Sequence, residues 1–129
     1  MFFEFLLIMK EDKSMEKSKL SSLFSGTGGI IYNVTVKVEQ QIAGDWLMWL
    51  LNDHIPSVMN TKCFVDYKVL RLLEVDDSEG PTYAAQYYAE SKADYNRYIE
   101  MYSAKMRQDS FKKWGDQFVA FRSVMEVVK

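Results

Sequence analysis

The residues of this chain that could do chemistry are few. It has one histidine, His54, and one cysteine, Cys63, among 129 residues. His54 follows Leu50 and Leu51 at i+4 and i+3, at the edge of an apolar helical stripe. An imidazole there can serve as a general acid or base, or as a haem ligand, in a pocket between helix and sheet. It can also simply cap a free carbonyl at a helix end beside Pro56, the more common use of a polar group in that position. Asn33, Trp46, Trp49 and Tyr87 would frame such a pocket with His54, although aromatic residues at helical spacing usually pack as core. Arg71 and Arg122 interrupt apolar strand faces and could clamp a carboxylate or phosphate. The competing expectation is an ion pair with Asp66, Glu74 or Glu126, and the number of acidic neighbours favours it.

Other chemistries are set aside by counting. Cys63 would need an activating base or cation to become a nucleophile, and a cysteine that opens a strand is more often core. A single cysteine allows no intramolecular disulfide, and two His and Cys in total are too few for a structural zinc site, so no metal is expected. The glycines at positions 26 to 29 precede the first strand, whereas a phosphate loop follows one. A net charge of −2 and a pI near 5.4 provide no basic field for nucleic acid. Gly115 with Phe118-Val119-Ala120-Phe121 echoes an RNA-recognition motif. However, Trp114 stands where Lys or Arg is required, Asp116 and Gln117 replace aromatic and small residues, and the match falls on the last strand. The apolar start, Met1 to Met9, is far short of the ~20 residues of a membrane span. It also lacks the marks of a secretory signal. The expectation is a misplaced start, with Met9 or Met15 as rival initiators, and a protein of the reducing cytoplasm with no membrane or nucleic-acid partner.

These side chains must be positioned by a regular scaffold. Residues 1–29 read as a tail and Ser/Gly linker, and residues 30–129 as the folded domain. Ile30 to Val38 alternates strictly, with Ile30, Tyr32, Val34, Val36 and Val38 on one face and Ile31, Asn33, Thr35 and Lys37 on the other, which predicts a strand. A helix through Trp46, Leu47, Leu50, Leu51 and His54 follows; Pro56 should end or kink it near Ile55, with a further short turn over Ser57 to Asn60. Cys63 to Val75 and Thr82 to Ala89 predict two strands of a hairpin. Ser91 is an N-cap with Asp94 three residues on. Tyr95, Tyr98, Ile99, Tyr102 and Met106 form one helical stripe that stops at Gly115. Asp116 to Val128 predicts the last strand. The order βαββαβ is that of the α+β ferredoxin-like sandwich, a four-stranded antiparallel sheet with two helices on one face. The strands carry apolar residues on both faces, so the uncovered face calls for a second copy and the protein is expected to be a homodimer.

Five stretches resemble a bacterial family described as a domain of unknown function, family 4286. They are Ile31-Tyr32-Asn33-Val34-Thr35, Trp46 through Trp49 to His54-Ile55-Pro56, Gln86-Tyr87, Arg107-Gln108 leading to Gly115-Asp116, and Phe118-Val119-Ala120-Phe121-Arg122. The resemblance implies the dimeric α+β barrel superfamily, in which two ferredoxin-like sheets face each other and whose members include small monooxygenases and haem-degrading enzymes. It gives no cofactor a residue-by-residue match, so none is expected; haem remains the alternative, with His54, Asn33 and Trp46 around it. The expected function is that of a small binding or accessory protein, and a monooxygenase-like or haem-handling enzyme is the alternative.

Overall fold

Strict alternation makes Ile30–Val38 (β1) a central strand. It pairs antiparallel with Thr82–Ala89 (β3) on one side and with Phe118–Glu126 (β4) on the other. Asp66–Arg71 (β2) adds to the outer edge of β3, so the sheet runs β2-β3-β1-β4 with every pair antiparallel. The computed structural model describes residues 28–129. The expected tail and linker therefore lie outside the described residues, except Gly28 and Gly29, which continue the ladder to Val127. Helices Ala43–Trp49 (α1), Ile55–Met59 (α2), Lys92–Met101 (α3) and Ser103–Trp114 (α4) fill the two crossovers. This is the ferredoxin-like arrangement.

Of the two expected effects of Pro56, an end or a kink of the first helix, the structure shows a distortion of the helix and not its end. Leu50–His54 widens into a π turn, in which the Ile55 N–H donates to Leu50 O, five residues back. Pro56 then begins α2, which runs on to Met59. A proline inside a helix has no N–H to give and its ring crowds the carbonyl four residues earlier. The wider turn relieves that crowding, and Ser57 Oγ donates to the Asp53 carbonyl at 3.0 Å. The second helical stripe is also interrupted. Tyr102 (φ −129°) separates α3 from α4, and beside it Ser103 Oγ donates to the Ile99 carbonyl at 2.7 Å, a local bond of the kind that bends helices. Ser91 caps α3 as expected, accepting from Asp94 N–H at 3.1 Å, and Gly115 (φ +62°) ends α4.

The second strand is half the length expected from Cys63 to Val75. Cys63 and Phe64 are buried in the core ahead of β2. Pairing with β3 ends once Leu72 N–H has donated to Thr82 O at 2.9 Å, because the next partner, Pro81, has no N–H for the ladder. The last strand is likewise trimmed to Phe118–Glu126. Gly80 (φ +144°) lets that loop lie directly on the end of β1. A Cβ there would sit 1.8 Å from Val38 O, while Val38 N–H donates to Pro81 O at 3.0 Å.

The register divides the strands into two faces. Tyr32, Val34, Val36 and Val38 point at the helices together with Tyr83, Ala85 and Tyr87 of β3 and Phe118, Ala120 and Arg122 of β4. The core is this layer closed by Trp46, Leu50, Ile55, Val58 and Tyr98. Ile31, Asn33, Thr35 and Lys37 point the other way, beside Val119, Phe121, Ser123 and Met125. Among the described residues no helix covers that side.

Candidate functional site

Between helices and sheet lies a pocket of about 50 Å³, measured as space for the centres of water molecules. At roughly 10–15 Å³ per water on that measure it has room for a few waters or one small organic molecule. Two aromatic clusters bound it. On one side Tyr32 meets Phe64, Tyr87, Tyr95 and Tyr98 at ring centroid distances of 5.7–6.1 Å. On the other Trp46 lies 6.4 Å from Trp49 and 5.9 Å from Tyr83. Val34, Ala85, Phe118 and Ala120 form the sheet-side floor.

The π turn aims His54 into this pocket. Residues five apart point about 140° away from each other on a regular α-helix but come into line on a π turn. Trp49 and His54 are five apart, and their rings stack at 4.8 Å with 29° between planes. Packing desolvates the imidazole; the Asp109 charge opposes that shift, and the smaller effect of the Arg122 charge adds to it. The His54 pKa falls to about 4, so the ring is neutral at physiological pH.

The polar groups of the pocket converge from both walls. Arg122 projects from β4 and Arg107 from α4, with Ser103 and Ser110 on the same side of α4. Burial pushes the Tyr32 phenol above its ordinary value, while the charge and a hydrogen bond of Arg122 oppose that shift and Arg107 adds to the opposition. Tyr98 is likewise raised by burial and then by Tyr32, with Arg122 and Arg107 pulling it down. Both arginines therefore lie close to the same two hydroxyls. Tyr87 is raised by burial among Tyr98, Tyr32 and Tyr67. A neutral imidazole, tyrosine hydroxyls and two guanidinium groups make a site that donates hydrogen bonds and carries positive charge.

Of the residues singled out from sequence, Trp46, His54, Tyr87 and Arg122 line this pocket together. Asn33 does not join them. Its odd position in the alternating strand places it on the opposite face of the sheet. There Gln86 Nε2 donates to Asn33 Oδ1 at 3.2 Å, and Asn33 Nδ2 donates to Thr35 Oγ1 at 3.0 Å and Ser123 Oγ at 3.4 Å. The expected grouping of Asn33 with His54 and Trp46 is thus corrected by the strand period itself. Arg71 is also absent from the pocket. It pairs with Asp77 at 3.2 Å, an ion pair in the hairpin loop instead of one with Asp66, Glu74 or Glu126. Cys63 is buried, with Sγ 3.8 Å from the Thr61 carbonyl it donates to. Among the described residues no three His, Cys, Asp or Glu converge as metal ligands, and no helix is long and apolar enough to cross a membrane.

Sequence reasoning missed Arg107, Ser103 and Ser110 as pocket residues. Their signal was present: positions 103, 107 and 110 follow i, i+4, i+7, a polar stripe beside the apolar one. Tyr32 and Tyr98 were read as core alone, yet they are also where the two arginine charges meet.

The same chain path occurs in solved structures. A dimeric ferredoxin-like protein from an uncultured marine organism superimposes with a TM-score of 0.61 at 11% identity, over 78% of this chain and 96% of that one. An EthD-like protein from Ralstonia eutropha gives 0.58 at 16% identity, over 80% and 95%. An ethyl tert-butyl ether D (EthD) family protein from Bacillus halodurans gives 0.55 at 12% identity, over 73% and 96%. At these identities the likeness is one of fold. No curated protein matches the chain. Residues 29–128 match the model of the domain of unknown function DUF4286, and the chain belongs to that family.

Proposed function

We propose that the protein works as a homodimer, sheet face to sheet face, and binds a small organic molecule in the helix–sheet pocket of each protomer without transforming it. The observation that carries the binding role is the pocket itself, apolar and aromatic in its walls with a few polar groups converging on one space. The dimer is supported by the uncovered sheet face, where Phe121 is 68%, Val119 54%, Met125 41% and Leu70 39% exposed. The polar groups at the centre of that face, Gln86, Asn33 and Thr35, bond to one another and so can be buried at little cost. The structural neighbour from the marine organism is itself described as dimeric.

This reading calls for no cofactor, nucleic acid or membrane. A reducing bacterial cytoplasm is the proposed compartment, supported by the single buried thiol of Cys63. The haem-handling alternative ranks second. His54 is neutral and could ligate iron, but one face of its ring is against Trp49. The test is a panel of small aromatic molecules, neutral and charged, watched through the indole N–H resonances of Trp46 and Trp49. Saturable shifts at both are expected. Their absence up to millimolar concentration would overturn the binding role, and a Soret band on haem addition that vanishes in His54→Ala would put the alternative first.

A further inference from the structure

Positive charge in this pocket has no matching negative charge among the described residues. Arg122 enters from the sheet and Arg107 from α4. The ion pairs of the described residues engage Lys37, Arg71, Arg97 and Lys105, and neither pocket arginine takes part. Asp109, whose charge reaches His54, is held by Lys105 at 2.8 Å. Both guanidinium groups line the one pocket and are exposed to solvent, so an anion entering between them would be attracted by both. Guanidinium forks match the oxygens of a carboxylate or of a phosphate. Trp46, Leu50 and Phe118 give the same pocket an apolar lining, which suits the organic part of a small acid.

We propose that the pocket is a carboxylate site: it takes a small organic acid, its carboxylate between Arg107 and Arg122 and its apolar part against Trp46, Leu50 and Phe118. The proposal rests on the binding role above and adds the class of ligand. Tyr32, a pocket wall residue whose hydroxyl feels the Arg122 charge, can itself donate to the carboxylate. His54 contributes shape and a neutral nitrogen, and its charge is not needed.

The test uses the full chain with benzoate as probe, benzyl alcohol as its uncharged counterpart, and Arg122→Met, Arg107→Met and Arg71→Met variants. Calorimetry is expected to give benzoate binding that each pocket variant weakens at least tenfold, the loss of about one charge-assisted hydrogen bond. Arg71→Met should leave it unchanged. Arg122→Lys, which keeps the charge and loses the fork, should fall between, and thermal melts verify that each variant is folded. Equal binding of benzyl alcohol and benzoate, both insensitive to Arg122→Met, would overturn the carboxylate site and leave the binding role standing. Binding of neither, with the Trp46 and Trp49 indoles unmoved by either probe or by the panel, would remove both. Tighter binding of phenyl phosphate than of benzoate would replace the carboxylate with a phosphate ester.

Discussion

Replacing Phe121 with aspartate should convert the protein from dimer to monomer. Phe121 is 68% exposed at the centre of the open face of β4, and its neighbour in the strand, Arg122, points to the other side. A phenylalanine side chain has roughly 200 Å² to bury, so about 140 Å² per protomer is available to a partner. Two copies at ~25 cal/mol per Å² contribute about 7 kcal/mol if both are fully covered, and about half that if each is half covered. Aspartate removes this gain and adds the cost of desolvating a charge, so association should weaken by roughly 10² to 10⁵-fold. Sedimentation velocity at micromolar concentration reads the result directly. Val124→Asp is the control, because Val124 lies on the same strand, is 46% exposed, and belongs to the helix-side face. It should leave the dimer intact. A wild-type monomer, or a Phe121→Asp protein that sediments as a dimer, would refute the sheet-to-sheet assembly.

Two further outcomes follow from the same geometry. His54 has a folded pKa of about 4 against an ordinary value of 6.5, so the unfolded chain takes up its proton first and stability falls as pH drops from about 6.5 toward 4. The full shift corresponds to about 3 kcal/mol. Urea unfolding of wild type and His54→Gln at pH 7 and pH 4.5 should show the wild type losing the larger share, about 2 kcal/mol more than the variant, and parallel losses would show that the imidazole is not held neutral. Gly80→Ala should destabilise by about 3 kcal/mol, since the new Cβ meets Val38 O at 1.8 Å in a left-handed backbone region. An unchanged urea midpoint would mean that the loop shifts away from β1 without penalty.

Much of the scaffold was legible because local rules and global fold agree. The period of two in Ile30–Val38, the Ser91 cap and the Gly115 stop each appear where the pattern put them. The misreadings come where a tertiary demand overrides a local signal. Pro56 reads as an end or a kink, and which of the two is decided by Ile55 and Val58 on either side of it, which have core to fill, so a π turn carries the helix past it. Cys63 and Val75 read as strand ends, but an edge strand extends only as far as its partner can hydrogen-bond, and Pro81 ends that.

The pocket divides along the same line. Alternation alone separates Asn33 from Tyr32 and Val34, so its removal from the site followed from the strand period once the faces were assigned. Residue type alone marked Trp46, His54, Tyr87 and Arg122 as capable of lining a site. That they line the same one depends on a register between β1 and β4, a crossing of α4 over the sheet, and a one-residue widening of the first helix that stacks His54 on Trp49. Local sequence sets backbone period and side-chain chemistry, because those act within a few residues. Which arginine faces which tyrosine across about 90 positions of chain is a property of packing, and only the folded sheet and helices bring Arg122 to Tyr32.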